Sequence, residues 1–120
     1  MLPSAKTERG RDSRARLERS ALTCFVKRGI DAATTKEIAS LAGMAEGNLY
    51  RHFPSKEDLA WALYESHLKR FVVHLEEAAG KRGGARRRLK ALLHRFRELY
   101  EAEPEVYTYI VLAQHHLLRR

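Results

Sequence analysis

The stretch TTKEIASLAGMAEGNLYRHFPSK, from Thr34 to Lys56, decides the fold of this chain. It contains two short helical patterns separated by a four-residue break, which is too tight for anything but two helices set at an angle. Gly43 ends the first helix, because glycine adopts positive φ without steric cost. The stretch therefore predicts a helix-turn-helix, with helices at about residues 35–42 and 46–52.

The start of the first of these helices offers two candidate capping residues, Thr34 and Thr35. A threonine hydroxyl at this place can accept a hydrogen bond from an unpaired backbone N–H. Thr35 is predicted to cap the helix and also to be able to donate to a phosphate. Thr34 is the weaker candidate for such a phosphate contact, with shaping of the turn as its alternative.

The second helix has one inward and one outward face. Leu49 and Phe53 are four residues apart and must face inward. The outward face then offers a small residue, an amide, a phenol and a base, which are Gly47, Asn48, Tyr50 and Arg51. Such a face suits the major groove of DNA.

Residues around this stretch resemble a known family, in an order and spacing that hold without a gap. They are Phe25, Gly29, Thr34-Thr35, Ile38-Ala39, Ala42-Gly43, Gly47-Asn48-Leu49-Tyr50, His52-Phe53 and Ser55-Lys56-Glu57. In these positions the chain resembles the DNA-binding domain of the TetR family of bacterial transcriptional regulators, over roughly residues 11 to 71. The remainder resembles only the start of the family's helical ligand domain.

The resemblance implies phosphate contacts for several side chains. Lys56 would clamp a phosphate from the first turn of the fourth helix, where backbone N–H groups already attract anions. The alternative for Lys56 is an ordinary exposed lysine. Tyr50 and His52 match family positions that hydrogen-bond phosphates, although His52 lies nearer the core and has simple packing as its alternative.

Base contacts are expected from the outward face. Gly47 has no Cβ, so the helix backbone can approach base edges closely; its alternative is a flexible break at the helix start. Asn48 can read adenine or touch the DNA backbone. Arg51 can pair with guanine or with a phosphate, and the sequence leaves both open.

Two residues depart from the family's pattern. Ala45 stands where the family commonly has Ser or Thr, so the cap of this helix must come from elsewhere or be absent. Glu46 brings a negative charge to the groove, where it can accept from a cytosine amino group but is repelled by phosphate. Its DNA contact is therefore weakly assigned.

The N-terminal residues 1–10 are predicted to form a flexible basic arm, followed by a helix from about Asp12 or Ser13 to Arg28. The arm and the start of this helix carry basic side chains that are expected to raise non-specific DNA affinity, with an adjacent groove as the alternative target. These side chains are Lys6, Arg9, Arg11, Arg14 and Arg16.

Beyond the helix-turn-helix, three more helices are predicted. Ser55 is a candidate N-cap for a long helix that reaches about Ala79. The glycine-rich residues 80–84 predict a break and the domain hinge, and Pro104 starts the last helix. The chain is thus predicted to be all-α, with a DNA-binding domain at 11–71 and a partial ligand-binding and dimerisation domain at 72–120.

Composition supports a globular and basic protein. The chain has 120 residues, a hydrophobic share of 44% and a formal net charge of +8. This charge favours a polyanionic partner, with an arginine-rich genome composition as the alternative explanation. The single cysteine, Cys24, is predicted to be a small core residue. No catalytic spacing, cofactor motif or metal-ligand spacing is present, no apolar run approaches membrane length, and a cytoplasmic, non-enzymatic protein is expected.

The function expected from the sequence is sequence-specific binding of double-stranded DNA. The resemblance implies a homodimeric repressor on a palindromic operator, relieved by a small-molecule effector bound among the fourth and later helices. The alternative is an α-helical protein-interaction module that has lost operator reading. We interpret the chain as a fragment or shortened gene product, because its last helix ends in an apolar face with no obvious partner; the alternative is a complete small regulator.

Overall fold

The computed structural model describes residues 5–119, with side chains from residue 9 onward, and this part of the chain forms six helices. They are α1 (Ala5–Arg28), α2 (Thr35–Leu41), α3 (Glu46–His52), α4 (Lys56–Ala79), α5 (Ala85–Ala102) and α6 (Pro104–Leu117). No strand occurs within the described range. The predicted all-α class is confirmed.

The helix-turn-helix has the predicted bounds to within one residue. Two glycines take the positive φ that ends a helix, Gly29 at 85° after α1 and Gly43 at 75° after α2. A side chain at Gly43 would be strained for this reason. It would also meet the Arg16 guanidinium, 3.1 Å from the position of an added Cβ.

The cap of α2 differs from the prediction. The Thr34 hydroxyl accepts a hydrogen bond from the backbone N–H of Glu37 at 3.1 Å, so Thr34 is the N-cap and Thr35 is the first helical residue. An N-cap needs extended backbone, and Thr34 has it, with φ −114° and ψ 150°. Ala45 is the N-cap residue of α3 and makes no side-chain capping hydrogen bond, so of the two outcomes expected for this cap it is the absence that the structure shows.

Helix α1 begins at Ala5, well before the predicted start at Asp12 or Ser13. The prediction of a flexible arm is therefore wrong for residues 5–10, and residues 1–4 lie outside the described part. The segment is rich in residue types of high helix propensity, and the cost of about 1 kcal/mol for Gly10 does not outweigh them.

The long helix α4 starts as predicted. The Ser55 hydroxyl accepts from the backbone N–H of Asp58 at 3.1 Å and donates to the Asp58 carboxylate at 2.9 Å. Gly80, with φ 58°, ends the helix, and the break leads into α5 after Gly84. The division into domains at residues 71 and 72 stays a prediction, and α4 runs through it without interruption.

Helix α6 packs into the same core as the helix-turn-helix. Tyr109 has no solvent exposure, stacks on Phe25 of α1 with ring centroids 5.8 Å apart, and donates from its hydroxyl to the Ala60 carbonyl of α4 at 2.7 Å. Burial raises the pKa of Tyr109, which keeps the phenol a neutral donor. The expectation that α6 lacks a partner is wrong, because α1 and α4 cover its buried face.

Helix α5 is the element with an exposed apolar face. None of its residues is buried. Four large side chains lie along one stripe at helical spacing and remain 43–62% exposed, and they are Leu89, Leu93, Phe96 and Tyr100. Within residues 5–119, no helix combines the length and the apolarity needed to cross a membrane.

Candidate functional site

One face of helix α3 packs against the core, and the opposite face is exposed. Leu49 is fully buried and Phe53, just after the helix, is 2% exposed, so both anchor the helix on the core as predicted. Gly47, Asn48 and Arg51 are exposed. A Cβ built on Gly47 would meet nothing within 4 Å, so this position is open space and not a packing requirement.

Three of the predicted site residues form one hydrogen-bonded chain at the junction of α2 and α3. The Thr35 hydroxyl donates to the Glu46 carboxylate at 2.5 Å, and the Tyr50 hydroxyl lies 3.0 Å from the Thr35 oxygen. A threonine hydroxyl has a single hydrogen. Because that hydrogen is directed to Glu46, Tyr50 must be the donor to Thr35.

Glu46 is therefore turned toward α2, where it is partly buried, while its neighbour Gly47 faces outward. The sequence predicted the proximity of Glu46 to the groove but not this internal contact. The prediction that Thr35 caps α2 is wrong, and its role toward phosphate stays a prediction.

Lys56 is partly buried and turned back onto the loop before α2. Its ammonium donates to the carbonyl oxygens of Asp31 at 2.9 Å and of Ala33 at 3.0 Å. An ammonium has three hydrogens, so one remains for a phosphate. The phosphate-clamp role stays a prediction, and Lys56 also holds the turn that leads into Thr34.

His52 is partly buried, with its ring 6.3 Å from the ring of Phe53. This position fits the packing alternative, while its phosphate contact stays a prediction. Cys24 is buried, as predicted, and burial raises the pKa of its thiol, which favours the unreactive neutral form.

We expect Lys56→Met to lower the free energy of unfolding by about 1–2 kcal/mol, because two hydrogen bonds from a charged group are lost at a partly exposed site. If the third hydrogen contacts a phosphate, the slope of log affinity against log salt should also fall by about one. Urea unfolding and a salt titration on duplex DNA measure the two effects separately.

Lys56→Arg is the matched control, since it keeps the charge and should preserve most of the salt slope. An unchanged slope for Lys56→Met would show that Lys56 does not clamp a phosphate. Unchanged stability would show that its two carbonyl contacts contribute nothing to folding.

Two arginines assigned to the basic arm instead hold α1 on the helix-turn-helix. The Arg16 guanidinium donates to the Ala42 carbonyl at 2.5 Å, at the end of α2. The Arg14 guanidinium lies 4.4 Å from the centre of the Phe53 ring, a cation–π distance. Sequence reasoning counted both as arm charges, because nothing in their spacing shows which loop a long side chain reaches.

His116, near the end of α6, lies between two carboxylates. Its Nδ1 is 3.7 Å from a carboxylate oxygen of Asp31, and its Nε2 is 3.7 Å from one of Glu57. The side chain is only 17% exposed. His116 thus brings the end of α6 to the loop that Lys56 holds, a contact between segments far apart in sequence that no local pattern reveals.

These features define a helix-turn-helix domain: a short second helix with an open outward face, anchored by apolar residues and flanked by hydroxyls and a lysine. Residues 19–63 match the family model described as bacterial regulatory proteins, tetR family. The chain belongs to the TetR family.

Two curated relatives are similar to this chain. It is 33% identical over 99 residues to the HTH-type transcriptional activator FasR of Mycolicibacterium smegmatis, which covers 82% of this chain and 45% of that protein. It is 39% identical over 59 residues to the HTH-type transcriptional regulator TtgR of Pseudomonas putida, and this match covers 49% of this chain and 28% of that protein. The chain thus spans less than half the length of these relatives.

Solved structures share the fold. A TetR family transcription regulator from Marinobacter aquaeolei superposes with a TM-score of 0.78 at 19% identity, over 92% of this chain and 57% of that one. A gamma-butyrolactone receptor described as an ArpA-like protein superposes with a TM-score of 0.73 at 29% identity, over 87% of this chain and 52% of that one. The first supports the fold alone, because its identity is low.

Proposed function

We propose that this chain is the DNA-reading part of a ligand-responsive transcription regulator. The observation that carries the proposal is the outward face of α3, where Gly47, Asn48 and Arg51 stand exposed on a helix fixed by Leu49 and Phe53. A helix presented in this way can enter the major groove with its side chains against base edges. Regulators named among the relatives support the same reading.

In the proposed complex, the outward side chains of α3 contact bases, and the flanking polar groups contact phosphates. Asn48 and Arg51 face base edges, and the Gly47 backbone lies close to the groove floor. Tyr50, Thr35, Lys56 and His52 contact phosphates, which fix the register of the protein on the duplex. Thr34 acts through the α2 cap.

The regulator is proposed to act as a homodimer on an operator with dyad symmetry, in the bacterial cytoplasm. Two copies of α3 would then lie in successive major grooves, with half-site centres about 10 base pairs apart. More specifically, we propose that the protein represses transcription and that a small molecule relieves this repression. One relative is named an activator, so the direction of regulation needs its own measurement.

The packing of α6 offers a route from an effector to the DNA-reading face. Tyr109 is buried against α1 and α4, and His116 lies against Asp31 and Glu57. A ligand that favours one placement of α6 would therefore favour one placement of the loop held by Lys56. Such a ligand changes DNA affinity only by its difference in affinity for the two arrangements.

In vitro selection from random duplexes tests the proposal. We expect enrichment of a short motif, present as an inverted repeat, whose bases change when Arg51 is replaced by Ala or Gln. A pool that shows no enriched motif after repeated rounds would contradict operator reading. It would instead favour the protein-interaction alternative, for which the exposed apolar stripe of α5 is the supporting observation.

A further inference from the structure

We propose that Glu46 is an internal competitor of DNA phosphate that lowers non-specific affinity. It acts by holding the hydroxyls of Thr35 and Tyr50 in the DNA-free protein. The inference rests on the proposed function and deepens it, since it assigns a role to the residue that fits that function least well. The hydrogen-bond chain at the junction of α2 and α3 supports this role.

The direction of the hydrogen bonds decides what these hydroxyls can do. Thr35 gives its one hydrogen to a carboxylate oxygen of Glu46 at 2.5 Å, and Tyr50 gives its hydrogen to Thr35 at 3.0 Å. Phosphate oxygens only accept hydrogen bonds, so each hydroxyl must have a free hydrogen to contact one. In this arrangement neither hydrogen is free.

The carboxylate of Glu46 therefore occupies the acceptor position that a phosphate oxygen would take on Thr35. Both are anionic oxygen acceptors, and hydrogen bonds to such acceptors are stronger than those to neutral ones. DNA can engage Thr35 only after Glu46 has moved away. In addition, the negative charge of Glu46 repels the approaching DNA backbone until the carboxylate has moved away.

The cost of releasing Glu46 is the same for every DNA sequence. It therefore weakens binding to random duplexes, where phosphate contacts supply nearly all the affinity. At a selected operator, base contacts by the outward face of α3 offset this cost. Glu46 thus lowers affinity for every duplex without contacting a base in the described arrangement, and the affinity ratio between operator and random DNA is set by the base contacts of α3.

A double-mutant cycle on a random duplex tests the competition. We expect Glu46→Gln to raise affinity for random DNA by about 5- to 10-fold, since an amide holds the Thr35 hydroxyl less strongly than a carboxylate does. In a Thr35→Val background, where no hydroxyl is left to release, the same substitution should change affinity by about 2-fold or less. Equal gains in the two backgrounds would overturn the proposal, because they would show a plain effect of charge.

Thermal unfolding of the same four proteins tests the contact without DNA. If Glu46 holds Thr35, the double variant should lose no more in Tm than the more damaging single variant. Additive losses would show that the contact is not formed and would overturn the proposal. Thr35→Val should leave the fold intact, because Thr34 caps α2.

Two further variants separate this inference from the proposed function. Tyr50→Phe removes the Tyr50 hydroxyl, which donates to Thr35, but leaves the Thr35–Glu46 contact. Glu46→Gln should therefore still raise affinity for random DNA in that background. Arg51→Ala should weaken operator binding with or without Glu46. If the wild-type chain selects an operator and Glu46→Gln gives no gain on random DNA, only the present inference fails. If the chain binds no duplex, both fail.

Discussion

Gly47→Val is expected to weaken specific DNA binding by at least about 100-fold while the fold is retained, comparable to the loss of one or two good base contacts. The added side chain would project from the outward face of α3, between the helix backbone and the base edges. In the free protein its Cβ would meet nothing within 4 Å, and Gly47 does not have positive φ. The variant should therefore unfold at the same temperature as the parent or slightly above it, since valine has the higher helix propensity.

Two controls make the result specific. Gly47→Ala adds a single methyl group and should give a smaller loss of binding together with a stability gain of up to about 1 kcal/mol. Gly84→Val makes the same chemical change at the link before α5, where a Cβ also meets nothing within 4 Å, and should bind DNA normally. Loss of helicity and Tm in Gly47→Val, alongside loss of binding, would show that Gly47 serves the fold.

Tyr109→Ala is expected to lower the free energy of unfolding by about 3–5 kcal/mol, the range for removing a large buried aromatic side chain. Tyr109 is fully buried between Phe25 and Ala60, so its loss leaves a cavity between α6 and the helix-turn-helix. Tyr109→Phe keeps the ring and should cost only about 1 kcal/mol for the lost hydrogen bond. Chemical denaturation followed by circular dichroism measures both values.

The matched control is Tyr100→Ala on the exposed stripe of α5, where the side chain is 46% exposed and a far smaller loss is expected. Equal losses at Tyr100 and Tyr109 would contradict a shared core of α1, α4 and α6. A single cooperative transition for the parent, lost in Tyr109→Ala, would support that core.

Much of the fold was predictable because it depends on local rules. The bounds of α2 and α3 follow from Gly43, from the apolar spacing of Leu49 and Phe53, and from the short link between the helices. Ser55 as a cap and Pro104 as a helix start are local signals too. Each of these features is set by residues within a few positions of one another.

The failures concern contacts between segments that are distant in sequence. Arg16 reaches the end of α2, Lys56 reaches the loop before Thr34, and His116 reaches Asp31. A long flexible side chain can go to several places, and only the packed structure selects one. The partner of α6 was missed for the same reason, because the rings of Phe25 and Tyr109 are brought together by tertiary packing alone.

The candidate site was predictable in its members but not in its arrangement. The outward face of α3 follows from helical spacing, whereas the hydrogen bond from Thr35 to Glu46 joins two helices across the turn. The choice between Thr34 and Thr35 as the cap was wrong because two adjacent threonines give the same sequence signal. The backbone conformation at Thr34 decides between them.

The central claim, that α3 reads DNA sequence, is tested most directly by comparing two duplexes of equal length and base composition at physiological salt. One carries the motif obtained by selection, and the other carries the same bases in scrambled order, so their phosphate contacts are equal. Fluorescence anisotropy should give at least about 100-fold tighter binding to the selected duplex. Equal affinity for the two duplexes would contradict operator reading, even if both bind tightly.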